Sequence, residues 1–161
     1  MTINGVYDII HVSDQKTESK LEYLVEASSE KTRKFLDSLM PSLISQLGLS
    51  NSKRAVLVRV GNDIPKEMMG ATLNIEVADC YLVLIKPPRR ITPTNMIYMA
   101  TTLAHEMVHV RQLAKGQMKF LKNQARIWMG KRYKASTPYL DQPWEVDAYS
   151  KQELLLRRAI E

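Results

Sequence analysis

The pattern of apolar and polar residues predicts several strands in the first half of the chain. Short runs rich in β-branched and aromatic residues, the usual composition of strands, recur before the Pro87-Pro88 pair. Within residues 21–27 apolar and acidic residues alternate, which suits a half-buried strand paired with the first run, although Ser19 and Glu22 can also form the capping box of a helix. The predicted strands are residues 6–12, 21–27, Ala55–Val60, 71–77 and 80–86.

Two pairs of short runs predict β-hairpins. Residues 71–77 and 80–86 are separated by only two residues, and residues 118–121 and 126–129 flank a short polar segment. Strand-like runs that lie so close together along the chain usually pair antiparallel.

The first predicted helix extends from Ser29 to Gly48. Ser29 is a good capping residue, apolar residues then recur with a period of 3.6, and the glycine ends the pattern. Pro41 falls inside this pattern and removes one backbone hydrogen bond, so we expect the helix to kink or break after Leu39.

Two further helices are predicted in the second half of the chain. One begins after Thr92, whose hydroxyl suits a cap and is followed by a proline at the first helical position, and it extends to about Lys115. The other spans residues 143–160, with Asp141 or Gln142 as its cap.

Length and composition are those of one globular domain, which we expect residues 1–161 to form. Cys80 is the only cysteine, so a disulfide framework and a cysteine-rich zinc ribbon are both excluded. The first residues lack the pattern of a signal peptide, and no apolar run of membrane-spanning length occurs. The expected location is therefore the cytoplasm, which for a phage protein means that of the host.

Positive charge is concentrated in one segment of a chain whose formal net charge is +6. Residues 111–134 contain eight basic residues and no acidic residue. Such a segment is usually a solvated surface, but it can also bind nucleic acid or an acidic polypeptide. The eight are Arg111, Lys115, Lys119, Lys122, Arg126, Lys131, Arg132 and Lys134.

The second predicted helix contains the motif His105-Glu106-Met107-Val108-His109. Residues four apart lie on the same face of a helix, so both imidazoles can reach one metal ion, as two ligands of a tetrahedral zinc site must. Glu106 follows the first ligand, where it can hold a water at the metal and accept its proton. The alternative is an ordinary buried helix with two core histidines.

Two histidines hold zinc weakly, and a catalytic site of this type has three protein ligands. Neither His nor Cys follows His109, so the third ligand has to be a carboxylate. Glu145 fits best, because Ala148 one turn later would let its helix approach closely and Trp144 would anchor that first turn. Asp147, the main competitor, is assigned to orienting a ligand histidine. The other candidates are Asp141, Glu153 and Glu161.

The combination of this motif with Glu145 and the three residues after it resembles the zincin metallopeptidases of the gluzincin type. The likeness covers residues 103–149 and is closest to the compact minigluzincins and to small bacterial or phage proteins in which a Pro-Trp-Glu helix follows HExxH. SprT-like proteases are more distant, since they are expected to have a third histidine. The resemblance implies an α+β fold, in which a small mixed β-sheet packs on the HExxH helix and a C-terminal glutamate helix follows.

The resemblance also implies zinc-dependent hydrolysis of peptide bonds. Zn²⁺ would be held by His105, His109 and Glu145 and would activate a water, with Glu106 as the general base. An antiparallel edge strand, residues 71–77 by its order in the chain, would lie above the cleft and hold an extended substrate.

A residue that stabilises the oxyanion is a further implication of the resemblance, usually a downstream His or Tyr. No histidine is available there, so Tyr139, on the loop before the glutamate helix, is the first choice for this catalytic role. Tyr149, one turn after Glu145, is the second choice, and Tyr133 is a third candidate.

The expected partner is therefore a protein or peptide substrate, and no interaction with a membrane is expected. The alternative function is a zinc-containing binding or scaffold protein without turnover, which would use its basic segment on nucleic acid or on a protein partner.

Overall fold

A computed structural model of the chain describes residues 21–161, which form three helices and two β-sheets, an α+β arrangement. The predicted strand of residues 6–12 and the turn after it lie outside the described residues. The strands are β1 Tyr23–Glu26, β2 Ala55–Val60, β3 Gly70–Ile75, β4 Cys80–Ile85, β5 Met118–Phe120, β6 Arg126–Trp128 and β7 Lys131–Tyr133. The helices are α1 Glu30–Gln46, α2 Pro93–Ala114 and α3 Pro143–Ile160.

The larger sheet is mixed, with strand order β1-β2-β4-β3. β1, β2 and β4 are parallel, whereas β3 pairs antiparallel with β4 as the second strand of a hairpin. The predicted hairpin is confirmed, although its connection is longer than expected because β3 ends at Ile75 and a short 3₁₀ turn follows. β3 forms one edge of this sheet within residues 21–161, so its outer backbone groups are available for another extended segment.

β1 confirms the strand predicted for residues 21–27, and the alternative that this segment begins a helix is wrong. The expected pairing partner, residues 6–12, lies outside the described part of the chain. Within that part, β1 pairs parallel with β2.

α1 begins after Ser29, whose hydroxyl accepts a hydrogen bond from the Thr32 amide, as predicted. The break expected at Pro41 is wrong, because α1 is one continuous helix of 17 residues, and a kink there stays a prediction. Pro41 lies on the exposed side of α1, where water can replace the missing N–H donor. The apolar stripe on the opposite side still packs in the core, and this packing holds the helix together.

The smaller sheet consists of β5, β6 and β7 in sequential antiparallel order. The hairpin of β5 and β6 was predicted, but the sequence pattern did not predict β7. Its two-residue turn, Met129-Gly130, has positive φ at both residues, which is the backbone of a tight hairpin turn. Methionine is rare in that conformation, so the turn has no sequence signature.

One face of the larger sheet packs against all three helices in a common core. Alternate residues of β2 and β4, including Val56, Val58, Val83 and Ile85, enter this core, while Leu57 and Leu82 point to a smaller cluster on the opposite face. No helix of the described residues is long and apolar enough to cross a membrane.

α3 packs directly on α2, and the small side chain of Ala148 is fully buried in the common core. Trp144, in the first turn of α3, is only 2% exposed, which confirms it as an apolar anchor. The first turn of α3, which carries Glu145, is thus fixed by Trp144, whose ring packs on Tyr133, and by Ala148 in the common core.

We expect the substitution Ala148→Leu to overpack the contact between α2 and α3, lowering the free energy of unfolding by about 1–3 kcal/mol. It should also weaken metal binding, because Glu145 would move away from α2. Thermal unfolding followed by circular dichroism, together with metal content, measures both effects. Ser150→Leu, at an exposed position of the same helix, is the matched control. Equal effects of the two substitutions would show that the tight contact at Ala148 does not matter.

Candidate metal centre

His105 and His109 lie one turn apart on α2, as predicted, and their imidazoles point to a common position. Both side chains are buried, and their rings meet edge to face with centroids 4.9 Å apart. The two Nε2 atoms are 3.2 Å apart. The structure thus brings two potential ligand atoms together from one helix.

Glu145 supplies the third potential ligand, from the first turn of α3. Its carboxylate oxygens lie 2.9 Å from His105 Nε2 and 3.3 Å from His109 Nε2. Ligand atoms that surround zinc tetrahedrally at about 2.0–2.1 Å are about 3.3 Å from one another. The three side chains therefore have almost the spacing that a tetrahedral zinc ion needs, and they form the one group of metal-ligand type found within residues 21–161.

The charge states of Glu145 and His109 depend on each other. Burial alone would raise the pKa of Glu145, but hydrogen bonds with His105, His109 and Tyr139 outweigh it and hold that pKa well below the usual range. Burial would likewise lower the pKa of His109, yet the neighbouring Glu145 and Glu106 raise it. The Glu145 carboxylate is thus an anion. It requires a positive charge, either a proton or a metal ion, between it and the imidazoles.

Gln112 determines which nitrogen of His109 faces this position. The Gln112 Nε2 group donates to the Trp144 carbonyl at 3.0 Å and to Asp147 Oδ2 at 2.8 Å. Both of these groups only accept hydrogen bonds, so the Gln112 Oε1 atom has to face His109 Nδ1, 2.7 Å away. His109 Nδ1 therefore carries a proton, and the lone pair of Nε2 is left for a metal.

Among the described residues Asp147 makes no hydrogen bond to either histidine, so it can orient His109 only through Gln112. It acts one step further away, because its carboxylate accepts from Gln112 and from Lys151.

Gln152 has the matching role at the other histidine, since its Oε1 atom lies 2.8 Å from His105 Nδ1. Neither glutamine was predicted from the sequence to be part of the site. A helical spacing signal does exist for them, because Gln112 is three residues after His109 and Gln152 is two turns after Glu145.

The Glu106 side chain contacts the edge strand β3. The Thr72 hydroxyl donates to Glu106 Oε2 at 2.6 Å. A Cβ atom at Gly70 would lie 2.9 Å from Glu106 Oε1 and 2.7 Å from Thr102 Cγ2, so only glycine permits this close approach of β3 to α2. Burial raises the pKa of Glu106, and the nearby histidines and Thr72 oppose that rise.

Two of the three tyrosines considered for the oxyanion are at the site. The Tyr139 hydroxyl donates to Glu145 Oε2 at 2.9 Å and lies 3.1 Å from the Tyr149 hydroxyl. The Tyr149 ring also meets the His105 ring edge-on, with centroids 4.7 Å apart. Tyr133 is elsewhere, because its ring packs on Trp144.

Tyr139 remains a neutral hydrogen-bond donor. Burial, the Tyr149 hydroxyl and the negative charge of Glu145 all raise the pKa of Tyr139. Its phenol therefore keeps its proton at physiological pH.

The other carboxylates considered as ligands are remote from this group. Asp141, Glu153 and Glu161 are exposed, and none belongs to the group formed by His105, His109 and Glu145. The prediction of Glu145 over these three agrees with the geometry.

A cavity of about 910 Å³ opens in front of the three ligands, lined by residues of α2, α3, β3 and the smaller sheet. The eight basic residues of segment 111–134 do not share one surface. Arg126 and Lys134 line the cavity, Lys115 donates to the Gly48 carbonyl, and Arg111 is half-buried. Binding of nucleic acid by this segment stays a prediction.

We expect Gln112→Met, which keeps the size of the side chain but removes both hydrogen-bonding groups, to lower metal affinity about 10–100-fold. The His109 ring would lose the acceptor that fixes its orientation. Competition with a chromophoric chelator measures this affinity. Gln117→Met, just beyond the end of α2, is the control. If the two variants bind metal equally well, Gln112 does not orient a ligand.

Comparison with protein-family models, with curated proteins and with solved structures finds no match for this chain.

Proposed function

We propose that this protein is a zinc-dependent metallopeptidase with a zincin-like active site. The observation that supports this most is the convergence of His105, His109 and Glu145 within 2.9–3.3 Å of one another, with Glu106 beside them on α2. Neither this convergence of three side chains nor the position of Glu106 is expected of two core histidines on an ordinary buried helix. Structural zinc sites use four protein ligands, whereas three ligands beside an open cavity are typical of catalytic sites.

Zinc is the metal that this set of ligands suits best. Two imidazoles and one carboxylate in tetrahedral spacing are the ligands of zinc hydrolases, whereas calcium and magnesium prefer sites built from oxygen atoms. A zinc ion bound here would supply a Lewis acid that polarises a carbonyl group and lowers the pKa of a water.

Glu106 is the general base in this proposal. Its carboxylate is held by Thr72 on the side of the cavity where β3 lies, so a proton can be taken up there and passed to a leaving amine. Burial raises its pKa above the usual value, which suits a group that both accepts and returns a proton.

The edge strand β3 is suited to hold an extended peptide beside Glu106. Its outer backbone groups have no strand partner within residues 21–161, and Gly70 and Thr72 of this strand contact or approach the Glu106 side chain. A peptide paired with β3 would bring its carbonyl groups past Glu106. This placement agrees with the edge-strand role predicted for residues 71–77.

Two substitutions separate metal binding from catalysis. His105→Ala should lose stoichiometric zinc, because two ligands hold the ion weakly. Glu106→Gln should keep zinc and lose peptide hydrolysis by a factor of about 10² or more, since it retains the side-chain shape but cannot accept a proton. Zinc content by atomic emission and cleavage of a fluorogenic peptide library measure the two effects.

The contrary outcomes are distinct. Wild-type protein that binds no zinc would exclude the metal centre itself. Stoichiometric zinc without cleavage of any peptide would instead favour the alternative of a zinc-containing binding or scaffold protein.

A further substitution tests the role of Tyr139. Because its phenol stays a neutral donor next to Glu145, we propose that it stabilises the negative charge that develops on the scissile carbonyl oxygen. Tyr139→Phe should lower kcat about 10–10³-fold with little change in KM or zinc content. Tyr149→Phe, whose hydroxyl touches only that of Tyr139 among the described groups, should have a smaller effect. Loss of zinc from Tyr139→Phe would show that the phenol only supports Glu145.

A further inference from the structure

Arg126 on β6 lines the same cavity as the proposed ligands and has no carboxylate partner within residues 21–161. Its guanidinium lies over two aromatic rings, 4.9 Å from the centroid of Phe120 and 5.0 Å from that of Trp144. Its one hydrogen bond among the described residues runs from Nη1 to Met118 Sδ, at 3.6 Å. The two rings thus hold a planar cation in the wall of the cavity.

Partial burial of the Arg126 guanidinium costs free energy unless an anion lies next to it. Arginine stays protonated, and a guanidinium that is partly removed from water needs acceptors for its N–H groups. Burial lowers the pKa of Arg126, and the negative charges of Glu145 and Glu106 only partly offset that effect. A divalent cation between His105, His109 and Glu145 would offset those two negative charges, so neither carboxylate would then neutralise Arg126.

We propose that Arg126 is a specificity-determining residue that binds a carboxylate group of the substrate. This inference rests on the proposed peptidase function, because in a peptide the available anions are the C-terminal carboxylate and the side chains of Asp and Glu. A guanidinium matches either of them, since its fork of N–H groups can bind both oxygens at once. Phe120 and Trp144 keep the fork in place, so little conformational entropy is lost when the carboxylate binds.

The test measures binding without turnover, with zinc-loaded Glu106→Gln protein immobilised on a support. The probe is a synthetic pool of decapeptides with randomised neutral residues, made in four versions. The C-terminus is a free carboxylate or an amide, and one internal position is Glu or the isosteric Gln. Retained peptide is quantified by mass spectrometry at low and at high salt.

We expect at least one of the two carboxylates to increase retention about tenfold or more over its neutral counterpart, and high salt to reduce the difference. A preference for the free C-terminus identifies the main chain as the source of the carboxylate, and a preference for Glu identifies a side chain. In the double variant with Arg126→Met the difference should vanish. In the double variant with Arg126→Lys it should be partly retained, because charge remains without the fork.

The matched control is Arg132→Met, which removes an exposed arginine from the neighbouring strand β7, outside the cavity lining. This control should leave the preference unchanged. Equal retention of all four pools by the Arg126-containing protein, including no retention of any, overturns the proposal even if Arg126→Met does not fold. A preference that survives in folded, zinc-loaded Arg126→Met overturns it as well. Cleavage of the pools by wild-type protein is scored separately and tests the peptidase function itself.

Discussion

The candidate site depends on a buried hydrogen-bonded contact between α2 and α3. Gln112 is completely buried, and it joins His109 on its own helix to Trp144 and Asp147 on the other. Because its amide faces two acceptors on one side, its oxygen is fixed on the other side, and the protonated nitrogen of His109 is fixed with it. The same contact that holds the helices together therefore selects the nitrogen that faces Glu145.

The next constraint is electrostatic. With His109 Nδ1 protonated, its Nε2 lone pair points at the carboxylate of Glu145 from 3.3 Å, and His105 Nε2 lies 2.9 Å from the same group. Electron pairs at these distances repel unless a cation lies between them. Without metal, protonation of an imidazole meets this need, which agrees with the raised pKa of His109 and the lowered pKa of Glu145. A divalent cation between the three side chains would meet the same need, at the spacing that they already have.

The sequence predicted the parts of this arrangement that follow from local geometry. Two histidines four residues apart share a helix face wherever the helix lies, and Ala148 after Glu145 indicated a close helix contact. The spacing of Gln112 from His109 also indicates that they can meet, but the hydrogen bonds of Gln112 to Trp144 and Asp147 were not predictable, since they form only when α3 packs on α2. Strand β7 was missed for a local reason, because its turn places Met129 in a backbone conformation that methionine seldom adopts. At Pro41 the local rule failed, because core packing outweighs one missing hydrogen bond.

We propose that His105, His109 and Glu145 together hold zinc. X-ray absorption at the zinc edge, on protein loaded with one equivalent of the metal, tests it most directly. We predict a four-coordinate shell of imidazole nitrogens from His105 and His109 and of oxygen ligands at about 2.0–2.1 Å, and no such shell in His105→Ala, which should not retain stoichiometric zinc. A six-coordinate oxygen shell, a sulfur ligand, or a spectrum unchanged by His105→Ala would contradict it.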